Sequence, residues 1–213
     1  MPPEQLLDQV LHVAIRLVPG ADDASIALAS DGALHTVSAA GDTAVAADDI
    51  QRALGDGPSQ QVILDGQTLR VADLLVGGRW PEFGVQASEV GVRAVLACPL
   101  PLPRKRHGVL TLYSATPAAF DKAAELVVPV FAARAAIAIA YAEKVSNLQR
   151  AIESRQVIGQ AIGILMERHR VSSKQAFDSI VTVSQESHIK LRELAIRINE
   201  TGLDPLAAAN AES

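Results

Sequence analysis

This chain of 213 residues is poor in cysteine and in rings: it has one Cys, one Trp and only 3% aromatic residues. A single cysteine excludes a disulfide framework and a cysteine-rich zinc site. It fits a reducing compartment, and a cytoplasmic setting is expected. With few rings, the cores must be built from Ala, Val, Leu and Ile. The opening Met1-Pro2-Pro3-Glu4-Gln5 has no basic stretch, so no signal peptide is read there. The longest apolar stretch, Ala132 to Ala142, is broken by Arg134 and is too short to span a bilayer. A soluble protein without a membrane partner is expected. Gly-x-Ser-x-Gly, a phosphate loop and a zinc-binding helix motif are all lacking. His12, His35, His107, His169 and His188 do not pair at helical spacing with a carboxylate. No catalytic residue and no metal ligand is therefore nominated, enzyme activity is not expected, and any cofactor stays unknown.

What is present is a globular composition, 49% hydrophobic and 20% charged. The net charge of −5 is uneven: residues 1–147 carry −5, residues 148–202 carry +2, and residues 203–213 carry −2. An acidic body with a mildly basic segment points to an anionic partner for that segment alone.

Residues 4–18 place Leu6, Leu7, Val10, Leu11, Ala14, Ile15 and Val18 at helical spacing, closed by Pro19-Gly20. Residues 24–30 and 33–38 read as strands joined by Asp31-Gly32, the dipeptide of a type I′ hairpin. A helix over 42–54 stops at Gly55-Asp56-Gly57-Pro58, and 59–64 reads as another. A brief strand is expected at 69–72, then a long loop over 73–91. Residues 92–102 and 107–115 are strand candidates joined by the basic turn Pro103-Arg104-Lys105-Arg106. Helices around hairpin-linked strands predict an α+β fold with an antiparallel sheet.

From Phe120 onward the pattern is helical. Pro129 should kink or restart the helix. Residues 130–169 contain no further proline, and 40 helical residues would extend roughly 60 Å. Tyr141, Val145, Leu148, Ile152, Arg155, Gly159, Ile162 and Met166 alternate in steps of four and three. That is a coiled-coil seam with Arg155 and Gly159 as defects, and it predicts a parallel homodimer stalk. Glu143 or Glu153 of a partner chain would then face Arg155. Ser172 with Gln175 forms a capping box that opens a helix burying Ala176, Phe177, Ile180 and Ser184. After a break near Glu186-Ser187-His188, Leu191, Leu194, Ala195 and Ile198 build a last helix closed by Gly202. The expected organisation is a sensor-sized domain over 1–142, a stalk with a three-helix module over 143–202, and a frayed tail over 203–213.

Candidate side chains are sparse. Asp22-Asp23 and Asp48-Asp49 read as solvated acids at turns and caps. Cys98 reads as a small core residue. Trp80 and Phe83, three apart on the long loop, either line a pocket or cap the sheet. Together with Cys98 and Tyr113 they are the candidate ligand pocket. The basic residues of the last module are Arg150, Arg155, Arg168, Arg170, Lys174, Lys190, Arg192 and Arg197. By charge alone they form either a solvated face or phosphate contacts.

Two resemblances bear on that choice. Ser154-Arg155-Gln156-Val157-Ile158-Gly159-Gln160-Ala161-Ile162-Gly163-Ile164-Leu165-Met166-Glu167-Arg168, Gln175-Ala176-Phe177 and Lys190-Leu191-Arg192-Glu193-Leu194-Ala195 closely resemble the ANTAR domain over about 145–202. That domain is the three-helix RNA-binding module of transcription antitermination regulators. Many members carry Lys where this chain has Ile162, which suits the seam. Asp73, Arg79-Trp80-Pro81, Gly91-Val92-Arg93, Pro99-Leu100, Gly108-Val109-Leu110-Thr111-Leu112 and Phe120 resemble a GAF domain, a small-molecule or signal-sensing module. The resemblance implies a signal-responsive antiterminator that binds tandem six-base-loop hairpins in nascent mRNA. Arg155, Arg168, Lys190 and Arg192 would contact the RNA. A small-molecule ligand of the GAF part is implied but not identified. A helix-turn-helix-like DNA-binding regulator, built on the last two helices, is the alternative.

Overall fold

The computed structural model describes residues 3–30, 32–103 and 106–204. Asp31 of the expected hairpin turn, Arg104-Lys105 of the basic turn, Met1-Pro2 and residues 205–213 of the tail lie outside the described residues. The chain divides into two compact units, Met1–Glu143 and Lys144–Ser213.

In the first unit, helix α1 (Pro3–Leu17) precedes strands β1 (Asp23–Ser30) and β2 (Ala33–Ala39). Helices α2 (Asp42–Leu54) and α3 (Pro58–Asp65), strand β3 (Leu69–Val71) and helix α4 (Pro81–Glu89) follow. Strands β4 (Ala94–Pro99) and β5 (Gly108–Ser114) complete an antiparallel sheet of order β2-β1-β5-β4-β3. The α+β expectation holds. Side chains alternate across the strands, so the sheet has two buried faces. On one face Ala24, Ile26, Leu96, Cys98, Leu110 and Leu112 meet α1 and the start of helix α5 (Lys122–His169). On the other, Val95, Ala97, Val109 and Tyr113 meet Ala44, Ala47, Val62, Phe83 and Ala87 from α2, α3 and α4.

Two expectations for this unit are corrected. The presumed loop over 73–91 contains α4, started by Pro81 at its first position, where a missing N–H costs nothing. Its inward face is Phe83, Gly84 and Ala87, a single large apolar residue beside two small ones, which hid the period. Gly84 must be small because a Cβ there would lie 2.5 Å from the Leu74 carbonyl oxygen. Nor does Pro129 restart the helix, since α5 carries it internally. Uninterrupted, α5 is by length and composition apolar enough to cross a membrane, with a window of mean hydropathy 1.8. Its Phe131, Ala132, Ala135, Ala138 and Ile139 are nevertheless buried in the core beneath the sheet, as in a globular domain.

The second unit packs the end of α5 with α6 (Ser173–Ser187) and α7 (Leu191–Thr201). Its core is Ala161, Leu165, Ala176, Ile180, Leu194, Ala195 and Ile198. The capping box forms in full: the Ser172 hydroxyl accepts from the Gln175 amide, and the Gln175 side chain accepts from the Ser172 amide. His188 ends α6 in a left-handed conformation, and Gly202 ends α7 likewise. Phe177, expected inside, is 40% exposed. Ala176 and Ile180 define the inward stripe, and the residue next to Ala176 turns about 100° away from it.

Candidate nucleic-acid interface and sensor core

Three helices leave the second unit with a small apolar centre and a charged exterior. Among its described cations, Arg168, Arg192 and Arg197 are engaged within the chain. The Arg168 guanidinium donates to the Gly202 carbonyl at 2.9 Å and lies 3.7 Å from the Asp204 carboxylate. Arg192 lies 3.8 Å from Glu153, and Arg197 donates to Glu193 at 2.7 Å. Asp204, within the expected frayed tail, also sits 2.9 Å from the His169 ring. Arg155 and Lys190 are exposed, and among the described residues no ion pair engages them. Arg150, Arg170 and Lys174, which were not singled out as contacts, share that condition. Glu143 and Glu153, expected as counter-ions of Arg155 from a partner, are matched in this chain with Arg106 and Arg192. Ile162 packs partly buried against the three-helix core. Gly159 and Gly163 face open space: a Cβ on either would touch nothing in the chain.

In the first unit the four pocket candidates do not converge. Trp80, Phe83 and Tyr113 belong to the core on the α2–α4 side of the sheet. Cys98 belongs to the opposite core, where burial pushes its thiol up and Thr68 donates to its sulfur at 3.4 Å. Alternation along β4 and β5 decides this split. Trp80 is buried, carries the Arg79 guanidinium 4.7 Å above its ring, and edges a groove of about 330 Å³ along residues 69–80. Beside that groove Arg93 grips Asp73 by two hydrogen bonds, 3.0 and 2.6 Å, which hold the Asp73 carboxyl below its ordinary range.

Of the four acids read as solvated, Asp23 and Asp48 are buried, while Asp22 and Asp49 are exposed. Asp23 is buried and receives the amides of Ala24 at 2.7 Å and Ala44 at 2.9 Å, anchoring the first turn of α2. Asp22 accepts from the Ser114 hydroxyl and the Ala115 amide. Asp48 lies within α2, turned onto the sheet and buried. It accepts from Ser25 at 3.1 Å, from Thr36 at 2.6 Å and from the Tyr113 hydroxyl. Gln51, Ser59 and Thr111 extend the network. The signal was in the alternation: Ser25, Thr111 and Tyr113 occupy positions of one parity on paired strands, where apolar residues were expected. Asp49, exposed like Asp22, pairs with Arg52. Among the described residues no group of three or more His, Cys, Asp or Glu is placed to hold a metal.

A five-stranded antiparallel sheet with helices on both faces is shared with solved GAF domains. The GAF domain of an Acinetobacter phosphoenolpyruvate-protein phosphotransferase superposes with a TM-score of 0.54 at 21% identity, covering 69% of this chain and 87% of that one. The GAF region of a membrane protein from Geobacter sulfurreducens gives 0.53 at 16%, covering 65% and 93%. A type II free methionine-R-sulfoxide reductase from Thermoplasma acidophilum gives 0.51 at 15%, covering 64% and 92%. At these identities the likeness extends to the fold alone. No curated protein matches the chain. The chain belongs to the GAF domain family, whose model matches residues 1–140. Residues 146–198 match the ANTAR domain. A signal-sensing domain joined to the RNA-binding module of antitermination regulators defines a regulatory protein.

Proposed function

We propose that the protein is a signal-responsive transcription antiterminator that binds paired six-base-loop hairpins in nascent mRNA. Binding there would keep a terminator hairpin from forming and let the polymerase read on. The observation that carries this reading is the set of exposed cations on the ANTAR module, led by Arg155 and Lys190, that have no ion pair among the described residues. Such cations are free to replace the counterions of a phosphate backbone, and a hairpin loop presents splayed bases beside dense phosphates. Arg168 and Arg192 belong to the same proposed surface, but RNA must compete there with Gly202 and Glu153. Phe177 offers an exposed ring on which an unstacked base can lie.

In this reading residues 1–142 sense the signal, 143–202 form the stalk and RNA-binding module, and 203–213 are a tail. Trp80, Phe83 and Tyr113 line the sensor side, Cys98 lies behind the sheet, and no catalytic step is assigned. A homodimer is supported by the exposure of Leu148 and Ile152 along the seam and by the open faces of Gly159 and Gly163. Two modules on one dimer reach two loops with a gain in effective concentration. The setting is cytoplasmic, where nascent transcripts are.

The test is a gel-shift titration of the full chain against a double hairpin, a single hairpin and duplex DNA at low and high salt. Preference for the double hairpin, weakened by salt, is the expected result. Preference for duplex DNA would favour a helix-turn-helix use of α6 and α7. Equal, salt-insensitive retention of all three would overturn both.

A further inference from the structure

The buried polar layer under α2 and α3 has a charge problem. Asp48 receives hydrogen bonds from Ser25, Thr36 and Tyr113, yet among the described residues no cationic side chain pairs with it. Hydroxyl donors satisfy lone pairs without cancelling charge. An isolated ionised carboxylate away from water is very costly.

The surrounding titratable groups do not help. Asp49, the next residue of α2, adds repulsion and is itself paired with Arg52 in solvent. Asp23 of β1 is turned to the first turn of α2. Tyr113 of β5 is held protonated, its ionisation pushed well up by burial and by Asp48, so toward Asp48 it acts as a donor. Beside Asp48 lies a cavity of about 10 Å³ lined by Ala27, Leu34, Thr36, Asp48, Gln51 and Ser59. That is about the room of one water molecule and far below that of an organic ligand. Four of its six walls bring oxygen atoms, the hard donors that suit alkali or ammonium ions rather than soft metals.

We propose that this chamber binds one unit of positive charge, supplied either as a proton on the Asp48 carboxyl or as a dehydrated monovalent cation beside it. Because Asp48 ties β1, β2 and β5 to α2, loss of that charge loosens α2 from the sheet. The chemistry recognised is the same in both cases, and the site serves the sensor unit whether or not the other unit binds RNA. Burial raises the Asp48 pKa, in agreement with this geometry.

The sign follows from linkage. A carboxyl whose folded pKa is raised binds more protons folded than unfolded. Its contribution is present below the ordinary Asp value and is lost as pH rises through the folded value.

The test is thermal unfolding of the full chain at about pH 5 and about pH 8, first with tetramethylammonium as the only cation. It is then repeated with potassium, sodium or ammonium at equal ionic strength. With tetramethylammonium the sensor's midpoint is expected to fall by about 3 °C or more toward high pH. Failure of small cations to restore it identifies the proton, and restoration identifies the cation. Asp48→Asn, neutral throughout and nearly the same size, is expected to abolish the differences. Equal responses in wild type and variant would overturn the proposal. Should the variant not fold, the carboxyl region of the wild-type infrared spectrum decides. A protonated Asp48 band near neutral pH, or a carboxylate band shifted by small cations, supports the site. An ionised Asp48 indifferent to them overturns it.

Discussion

The two units handle polarity in opposite ways. The GAF unit takes Ser25, Asp48, Gln51, Ser59 and Thr111 inside and satisfies them with one another. The ANTAR unit keeps a purely apolar centre of seven residues and leaves its charges outside. A sheet with helices on both faces has enough interior to hold a hydrogen-bonded layer beneath α2 and α3 on one of them. A three-helix unit has too little buried area to offset such desolvation. The contrast separates a unit whose buried interior holds polar groups from one whose described charges lie outside its buried core.

The strongest challenge to that contrast is to damage the small core. Leu194→Ala should cost about 2–4 kcal/mol. It should unfold the ANTAR unit and abolish RNA retention while the GAF unit still melts cooperatively, which calorimetry with a parallel gel shift would read. Charge reversal of the unpaired cations comes next. Arg155→Glu with Lys190→Glu should weaken hairpin binding about a hundredfold without lowering the melting temperature. Arg192→Glu alone should do about tenfold or less, since Glu153 already competes for it. Unchanged binding in the double variant would remove Arg155 and Lys190 from the interface.

A subtler change sharpens the local argument. Ser172→Ala breaks the capping box and should destabilise the ANTAR unit by about 1 kcal/mol, measurable by denaturant titration. The smallest effect concerns Asp73. Its carboxyl is held low by Arg93, so the associated stability is present above the ordinary Asp range and is lost as pH falls through the folded value. Arg93→Ala should flatten that acid limb slightly in a pH series of unfolding curves. No change would mean solvent already screens the pair.

Much of the fold was legible because local rules agreed with one another. The periods of α1 and α2, the apolar runs of β4 and β5, the capping box at Ser172 and the stop at Gly202 all point the same way as the final packing. Helix α4 was not legible, because its inward face offers only one large apolar residue, Phe83, beside Gly84 and Ala87, and the reason for Gly84 is a carbonyl from residue 74. The basic module was visible as a charge imbalance, but the state of each cation was not. Arg168 is held by a residue 34 positions away, and Lys190 is exposed with no ion pair among the described residues. Phe177 was misplaced because inward and outward positions on a short helix differ by a single residue.

The sequence by itself determined the two-domain character, the antiparallel hairpin-based sheet, the long α5 and the ANTAR motif, since each rests on neighbours along the chain or on a recognisable run of residues. Only the tertiary structure decided that Cys98 and Tyr113 lie on opposite faces, that Asp48 is buried rather than solvated, and which arginines are already occupied. Those outcomes depend on strand register and on partners brought together from 12 to 65 positions apart. Burial and pairing are properties of such distant contacts, and no local pattern encodes them.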